Sequence, residues 1–230
     1  GVRDFRFDDG GKNGEAIYIG TSSNQWDDGK NPTADPDEST GNWVHHNFMD
    51  TQGNECVDIK EGAYGNIVEY NICTGQKDPN SGGLDSRGDA NIFRYNEIYG
   101  CTGAGIRIGG HEIDGHQYGQ NNLIYGNNIH DNEYGAIKTM VFPQDTVCGN
   151  MLQGNGPGYG NHQLDPDAVC DSSIKVPVTD ADDSTKETDE TQEPYTEPEL
   201  AGLPVEEVTA SSNDGNLCEN TRDSDLDTRW

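Results

Sequence analysis

Lys60, Arg87, Arg107 and Lys138 stand out because the chain has few residues like them: 14 Lys and Arg against 42 Asp and Glu, for a formal net charge of −28. Each belongs to a short hydrophobic phrase: Val57-Asp58-Ile59-Lys60, Leu84-Asp85-Ser86-Arg87, Ile106-Arg107-Ile108 and Ile137-Lys138-Thr139. Read as strands, these alternate between the two faces of a sheet. Stacked, one outward column reads Tyr18, Asp58, Asp85, Arg107, Lys138, and the next reads Gly20, Lys60, Arg87, Gly109, Met140. Parallel strands lie about 4.8 Å apart, so neighbours within a column are in reach of one another. Cations gathered on one face of a polyanion favour an anionic ligand. Glu55 stands just before the Asp58 strand, and so acidic a chain is compatible with binding divalent cations. A lysine flanked by arginine and a bound cation has a lowered pKa and can serve as a base, and an arginine can stabilise developing negative charge. An exposed ladder of Asp over Asp, relieved by Arg and Lys, would use the same residues and add little stability.

What must position these side chains is a repeat. Asn42-Trp43-Val44-His45-His46-Asn47 recurs as Asn66 to Asn71, Asn91 to Asn96, Asn122 to Asn127 and Asp145 to Asn150. The copies start 24, 25, 31 and 23 residues apart and carry a hydrophobic residue at the third position. A period in this range marks a stacked architecture. The phrase is too short and too β-branched or aromatic for a helix pair, and a second strand follows each copy. The expected fold is all-β: a right-handed parallel β-helix of about five coils over residues 14–165, with Asn at the corners for left-handed backbone angles and coil-to-coil hydrogen bonds. Val44, Val68, Phe93, Ile124 and Val147 should form one inward column, and Val57, Leu84, Ile106 and Ile137 another. Asp58, Lys60, Asp85, Arg87 and Arg107 should lie on one exposed face. Strict alternation would send Glu55 inward unless the chain bends before Cys56.

Three domains are expected: the β-helix over 1–170, a disordered acidic linker over 171–203, and a separate C-terminal piece over 204–230. The opening Val2 to Phe7 reads as a strand already under way, so an upstream portion is expected to have been removed. The net charge argues against nucleic acid or an anionic membrane surface as partner, and no apolar run is long enough for membrane insertion. Cys73-Thr74-Gly75 and Cys101-Thr102-Gly103 would bring two cysteines together by stacking, and Cys148 with Cys170 could close the C-terminal end. Six cysteines without a zinc-ligand spacing suggest an oxidising compartment and secretion. Excursions at 21–40, 76–81 and 109–119 interrupt the coils. The last carries His111, Glu112, Asp114 and His116, a set that could bind a metal.

Glu55-Cys56-Val57-Asp58-Ile59-Lys60, then Gly83-Leu84-Asp85-Ser86-Arg87-Gly88, then Gly105-Ile106-Arg107 resembles the core of β-helix polysaccharide lyases of the alginate lyase/chondroitinase B type. The resemblance covers residues 14–160, with Gly88 following Arg87 where that pattern has His. It implies Lys60 and Arg87 as catalytic residues and Glu55 and Asp58 as Ca²⁺ ligands; Arg107, Asp85, His111 and Lys138 are then the expected substrate contacts. The implied reaction is β-elimination, or C5 epimerisation through the same first step, on a uronic-acid polymer. Residues 205–230, through Ala210-Ser211-Ser212, Asn220-Thr221-Arg222-Asp223 and Thr228-Arg229-Trp230, resemble the opening of an F5/8 type C (discoidin-like) domain, with Ser224 where that family has Gly. Such domains bind glycans or cell surfaces. The alternative to a lyase is therefore a non-catalytic extracellular module that binds an anionic polysaccharide or cell-surface glycan.

Overall fold

In the computed structural model, residues 2–3, 14–158 and 170–171 are described. They form a parallel β-helix with three sheets. The site sheet contains Ile17–Ile19, Val57–Ile59, Gly82–Ser86, Ala104–Ile108 and Gly135–Thr139. The middle sheet contains Trp43–His45, Ile67–Glu69, Ile92–Arg94, Leu123–Tyr125 and Val147–Cys148. The back sheet runs from Val2–Arg3 through Phe48–Asp50, Ile72–Thr74, Glu97–Tyr99 and Asn128–His130 to Met151–Gln153. Every pairing within these sheets is parallel. The chain visits site, middle and back sheets in turn, so each coil places one strand on each.

Both expected inward columns are present. Val44, Val68, Phe93, Ile124 and Val147 pair in register and are buried. Val57, Leu84, Ile106 and Ile137 do the same on the site sheet. A third column on the back sheet runs Met49, Cys73, Ile98, Ile129, Leu152. Three narrow stripes thus close a core that no coil could bury by itself, and losing a buried leucine from it would cost roughly 2–5 kcal/mol.

Asparagines stack at the corners, with one refinement of the expectation. The left-handed residue is the one before each Asn: His46 (φ 55°), Tyr70 (φ 52°) and Tyr95 (φ 56°), with Gly126 and Gly149 at the same place in later coils. The Asn itself bonds along the stack. Asn96 Nδ2 donates to Val68 O (2.9 Å) and Asn127 Oδ1 (3.0 Å), while Asn96 Oδ1 accepts from the backbone N–H and Nδ2 of Asn71. In the other ladder Asn122 Nδ2 donates to Gln144 Oε1 rather than to Asp145, whose carboxylate accepts from Thr146 instead. An uncharged amide can both give and take along such a ladder, whereas a carboxylate only accepts.

The disulfides decide between the partners open to Cys73. Cys56 bonds Cys73, and Cys148 bonds Cys170, while Cys101 is free and buried. The two Cys-Thr-Gly phrases are out of register: Cys73 pairs with Ile98 and Thr74 with Tyr99, which carries Cys101 three positions onward. Both sulfurs nevertheless converge on Gly83, where a Cβ would lie 2.8 Å from Cys101 Sγ and 2.9 Å from Cys73 Sγ. Burial pushes the Cys101 thiol up to about 12, so it is inert. Closing 17 residues with Cys56–Cys73 constrains the unfolded chain by about 3 kcal/mol. Two disulfides suit an oxidising compartment. Among the described residues no helix is long and apolar enough to cross a membrane. Apart from Asp171, the expected acidic linker lies outside the described residues, as does the C-terminal piece with its F5/8 type C-like phrases.

Candidate functional site

On the site sheet, Val57 and Ile59, Leu84, and Ile106 and Ile108 face inward and fix the register. Tyr18, Asp58, Asp85, Arg107 and Lys138 then form one outward column by direct strand pairing. Lys60 and Arg87 follow in the next: the Lys60 N–H donates to Ile19 O at 2.9 Å and the Arg87 N–H to Ile59 O at 2.8 Å. Lys60 and Arg87 therefore sit on one face, on neighbouring coils.

That face is not open to solvent, as the alternation had suggested. Glu55, Asp58, Lys60 and Asp85 are all buried. Outward from the core is here inward beneath the excursions. The Ser81 hydroxyl, from the 76–81 excursion, lies within hydrogen-bond reach of Glu55 and Asp85 and has one proton to share between them. The 21–40 excursion closes over Gly62, where a Cβ would meet Asp37 O at 2.9 Å. Solvent reaches the rim: Tyr18 is 44% exposed, and Arg87 and Arg107 keep 24% and 13% of their side chains exposed.

Glu55 turns outward because the chain bends at the corner. Cys56 and Val57 both enter the core, so Glu55 falls beside Asp58. Glu15 joins them from the preceding coil, held there as the Ala16 N–H donates to Glu55 O at 3.0 Å and Asn54 Nδ2 donates to Glu15 Oε1 at 3.2 Å. Ligand oxygens of Glu15, Glu55 and Asp58 lie within 4.8 Å of one another. Glu55 Oε2 and Asp58 Oδ1 are buried without a hydrogen-bond partner. Burial, then Asp58 and Asp85, drives the Glu55 carboxyl well above its ordinary range. Burial also brings Asp58 up to about 6, against the pull of Lys60. Orphaned, crowded, all-oxygen donors of this kind fit a hard divalent cation, which takes 6–8 oxygens when it is calcium.

Asp85 behaves oppositely. Burial would raise it, but Arg107, then Arg87 and Lys60, hold it below the ordinary carboxylate range. Arg107 Nη1 reaches its two oxygens at 2.9 and 2.7 Å. Lys60 is paired with Asp58 and lies 4.7 Å from the centre of the Tyr18 ring. Burial lowers its pKa, yet Asp58, with a smaller pull from Asp85, leaves it raised. This corrects the expectation of a lowered lysine: the carboxylate beside it outweighs the flanking arginine. Lys138 is lowered by burial and by Arg107, and its Nζ donates to Asn80 O at 2.8 Å, tying down the 76–81 excursion.

Alternation did not reach Glu61. It is fully buried, just past the strand end, where period-two reasoning stops. Its Oε1 lies 2.7 Å from His111 Nδ1 and 4.0 Å from Arg87 Nη1, and its Oε2 accepts from the Ser23 N–H at 3.3 Å. One carboxylate thus draws two excursions onto Arg87. Glu15 had a usable signal, since it precedes Ile17 by the same two residues that separate Glu55 from Val57. The set His111, Glu112, Asp114, His116 does not gather as a metal site. His111 turns to Glu61 and His116 to Asp89, and among the described residues Glu15, Glu55 and Asp58 form the one such cluster.

No family model matches the chain, and no curated protein does. Among solved structures, an alginate lyase from Paenibacillus sp. str. FPU-7 is similar, with 19% sequence identity and a TM-score of 0.45. The match covers 62% of this chain and 51% of that one, so the chain spans about half the length of that structure.

Proposed function

We propose that this face binds a uronic-acid polysaccharide outside the cell and eliminates across its glycosidic bond, or epimerises C5 by the same proton abstraction. The carrying observation is the trio Glu15, Glu55 and Asp58, with two orphaned oxygens, next to Lys60 and Arg87 on adjacent coils. Calcium held by those three residues would neutralise the uronate carboxylate and so make the C5 proton acidic. Lys60 takes that proton. Only carboxylates hold its pKa up, while burial and Arg87 lower it, so it becomes a base when Asp58 is protonated or otherwise engaged. Arg87, oriented by Glu61, stabilises the negative charge that spreads onto the substrate carboxylate. In elimination the electron pair from C5–H forms the C4–C5 double bond as the C4–O bond breaks, and the departing oxygen takes a proton from solvent at the rim. In epimerisation C5 regains a proton from its other face. Arg107 and Lys138 offer positive charge to neighbouring uronates, Asp85 holds Arg107 in place, and His111 stands at the rim.

A second reading has its own support. The enclosed Lys60–Asp58 pair and the Gly88 after Arg87 suit a module that binds an anionic glycan without turnover. Absorbance of unsaturated uronic ends, over alginate, pectate and glycosaminoglycans with and without calcium, separates the two. Turnover that falls at least ~100-fold in Lys60→Ala supports the lyase. Binding without turnover on every substrate favours the module, and unchanged activity in the variant removes Lys60 as the base.

A further inference from the structure

Beyond the ends of the Lys60 and Arg87 strands lies a cavity of ≈ 330 Å³ that the chemistry above does not use. Four separate stretches build it: Glu38 from the first excursion, Tyr64 from one corner, Asp89 from the next, and His116 and Tyr118 from the hairpin of Glu112–Ile113 and His116–Gln117. Its walls are fixed. Thr40 bridges to Tyr64. His116 Nε2 lies 2.8 Å from Asp89 Oδ2, and Asp89 Oδ1 accepts from the Gln120 N–H at 2.7 Å. The Tyr118 N–H donates to His111 O at 3.1 Å, and Trp26 packs edge-on against the Tyr118 ring at 5.9 Å.

We propose that this cavity is a sugar subsite for an uncharged pyranose. Tyr64, 45% exposed, and Tyr118 line the cavity, and aromatic rings are the surfaces on which the C–H side of a sugar packs. Glu38 and Asp89 accept hydrogen bonds only, which suits hydroxyl donors. The same two carboxylates repel a uronate. Their field is felt within the cavity, where the Tyr118 hydroxyl is pushed up by burial, then by Asp89 and Glu38. Gly62 in the lining follows Lys60 by two residues, and Asp89 follows Arg87 by two, so the cavity begins within about 7 Å of chain from either. The substrate class is therefore a heteropolysaccharide with a neutral sugar beside its uronate, rather than a run of uronates. This rests on the proposed function only in placing the uronate at Lys60 and Arg87.

The test reads Trp26. The full chain, labelled with 5-fluorotryptophan, gives ¹⁹F signals for its 3 tryptophans, assigned with Trp43→Phe and Trp230→Phe. It is titrated with neutral pentasaccharides of glucan, mannan, xylan and galactan, and with oligoguluronate and oligogalacturonate. The expected result is a saturable shift of the Trp26 signal with a neutral oligosaccharide. Affinity should fall ~tenfold in Tyr64→Ala, with recovery in Tyr64→Phe, since tenfold corresponds to about 1.4 kcal/mol of lost contact. No shift with any neutral oligosaccharide, a shift with uronates alone, or an affinity unchanged in Tyr64→Ala would overturn the subsite. Repeating the titration in Lys60→Ala keeps the two ideas apart. Neutral-sugar binding that persists there, with no turnover of any uronan by the unaltered chain, refutes the lyase and leaves the subsite standing.

Discussion

The corner ladders and the site face are built by the same stacking, yet they use it in opposite ways. In the Asn47, Asn71, Asn96, Asn127, Asn150 ladder each coil repeats the same residue, and the inner amides of Asn71, Asn96 and Asn127 both donate and accept along the stack. The site face does not keep one residue along its column: Tyr18, Asp58, Asp85, Arg107, Lys138. There, buried carboxylate oxygens are left without donors. Uncharged and satisfied groups make a ladder that holds the solenoid together. Charged and partly satisfied ones store free energy that a ligand can relieve.

The largest stability loss is expected where the ladder is most enclosed. Asn96→Ala removes two donated and two accepted bonds in a buried setting and should cost about 2–4 kcal/mol in denaturant unfolding. A loss under half a kcal/mol would mean that the ladder records the stacking without supporting it.

Next comes the pH response, which the neutral ladder lacks. Asp58 stands at about 6, above its ordinary value of 3.8, so the folded chain binds this proton more tightly than the unfolded chain does. Its contribution to stability is complete below about pH 4 and is lost as pH rises through about 6. In calcium-free buffer a decrease of the order of 1–3 kcal/mol from Asp58 is expected across that window, and the slope should shrink in Asp58→Asn, where Glu55, also raised, keeps its own share. Asp85 has the opposite sign. Held down by its arginines, it adds stability above the ordinary carboxylate range that is lost as pH falls below it. The same slope in Asp58→Asn as in the parent would show that other groups titrate there.

The smallest effect sharpens the contrast within the ladders. Asn42 stacks on Asn66 at the exposed end of its ladder, so Asn42→Ala should cost only about 0.5–1 kcal/mol by the same unfolding measurement. A cost equal to that of Asn96→Ala would mean that burial does not set the worth of each rung.

The two regions also differ in how legible they were. The columns followed from alternation plus register, because Val57 and Ile59 inside force Asp58 and Lys60 outside. Burial of that face was not legible, since it depends on where the excursions fold, and no periodicity governs residues 21–40 or 76–81. Stacking brought Cys73 and Cys101 near one another but could not show that Cys73 bonds Cys56, since the two Cys-Thr-Gly phrases sit three positions out of register. The Lys60 pKa was read from Arg87 and a cation, while the decisive neighbour was Asp58 on its own strand. Glu61 and Glu15 flank strands rather than occupy them, and strand patterning is silent about such positions.

The most direct measurement is thermal unfolding of the full chain with and without millimolar calcium, in the parent and in Glu55→Gln. If Glu15, Glu55 and Asp58 hold a cation, calcium raises the parent Tm by mass action on the folded state. Glu55→Gln should match or exceed the parent Tm without calcium, because it removes a carboxyl that burial, Asp58 and Asp85 disfavour, and its Tm should not respond to calcium. A parent Tm indifferent to calcium, or an equal rise in the variant, would contradict a cation site at these three carboxylates.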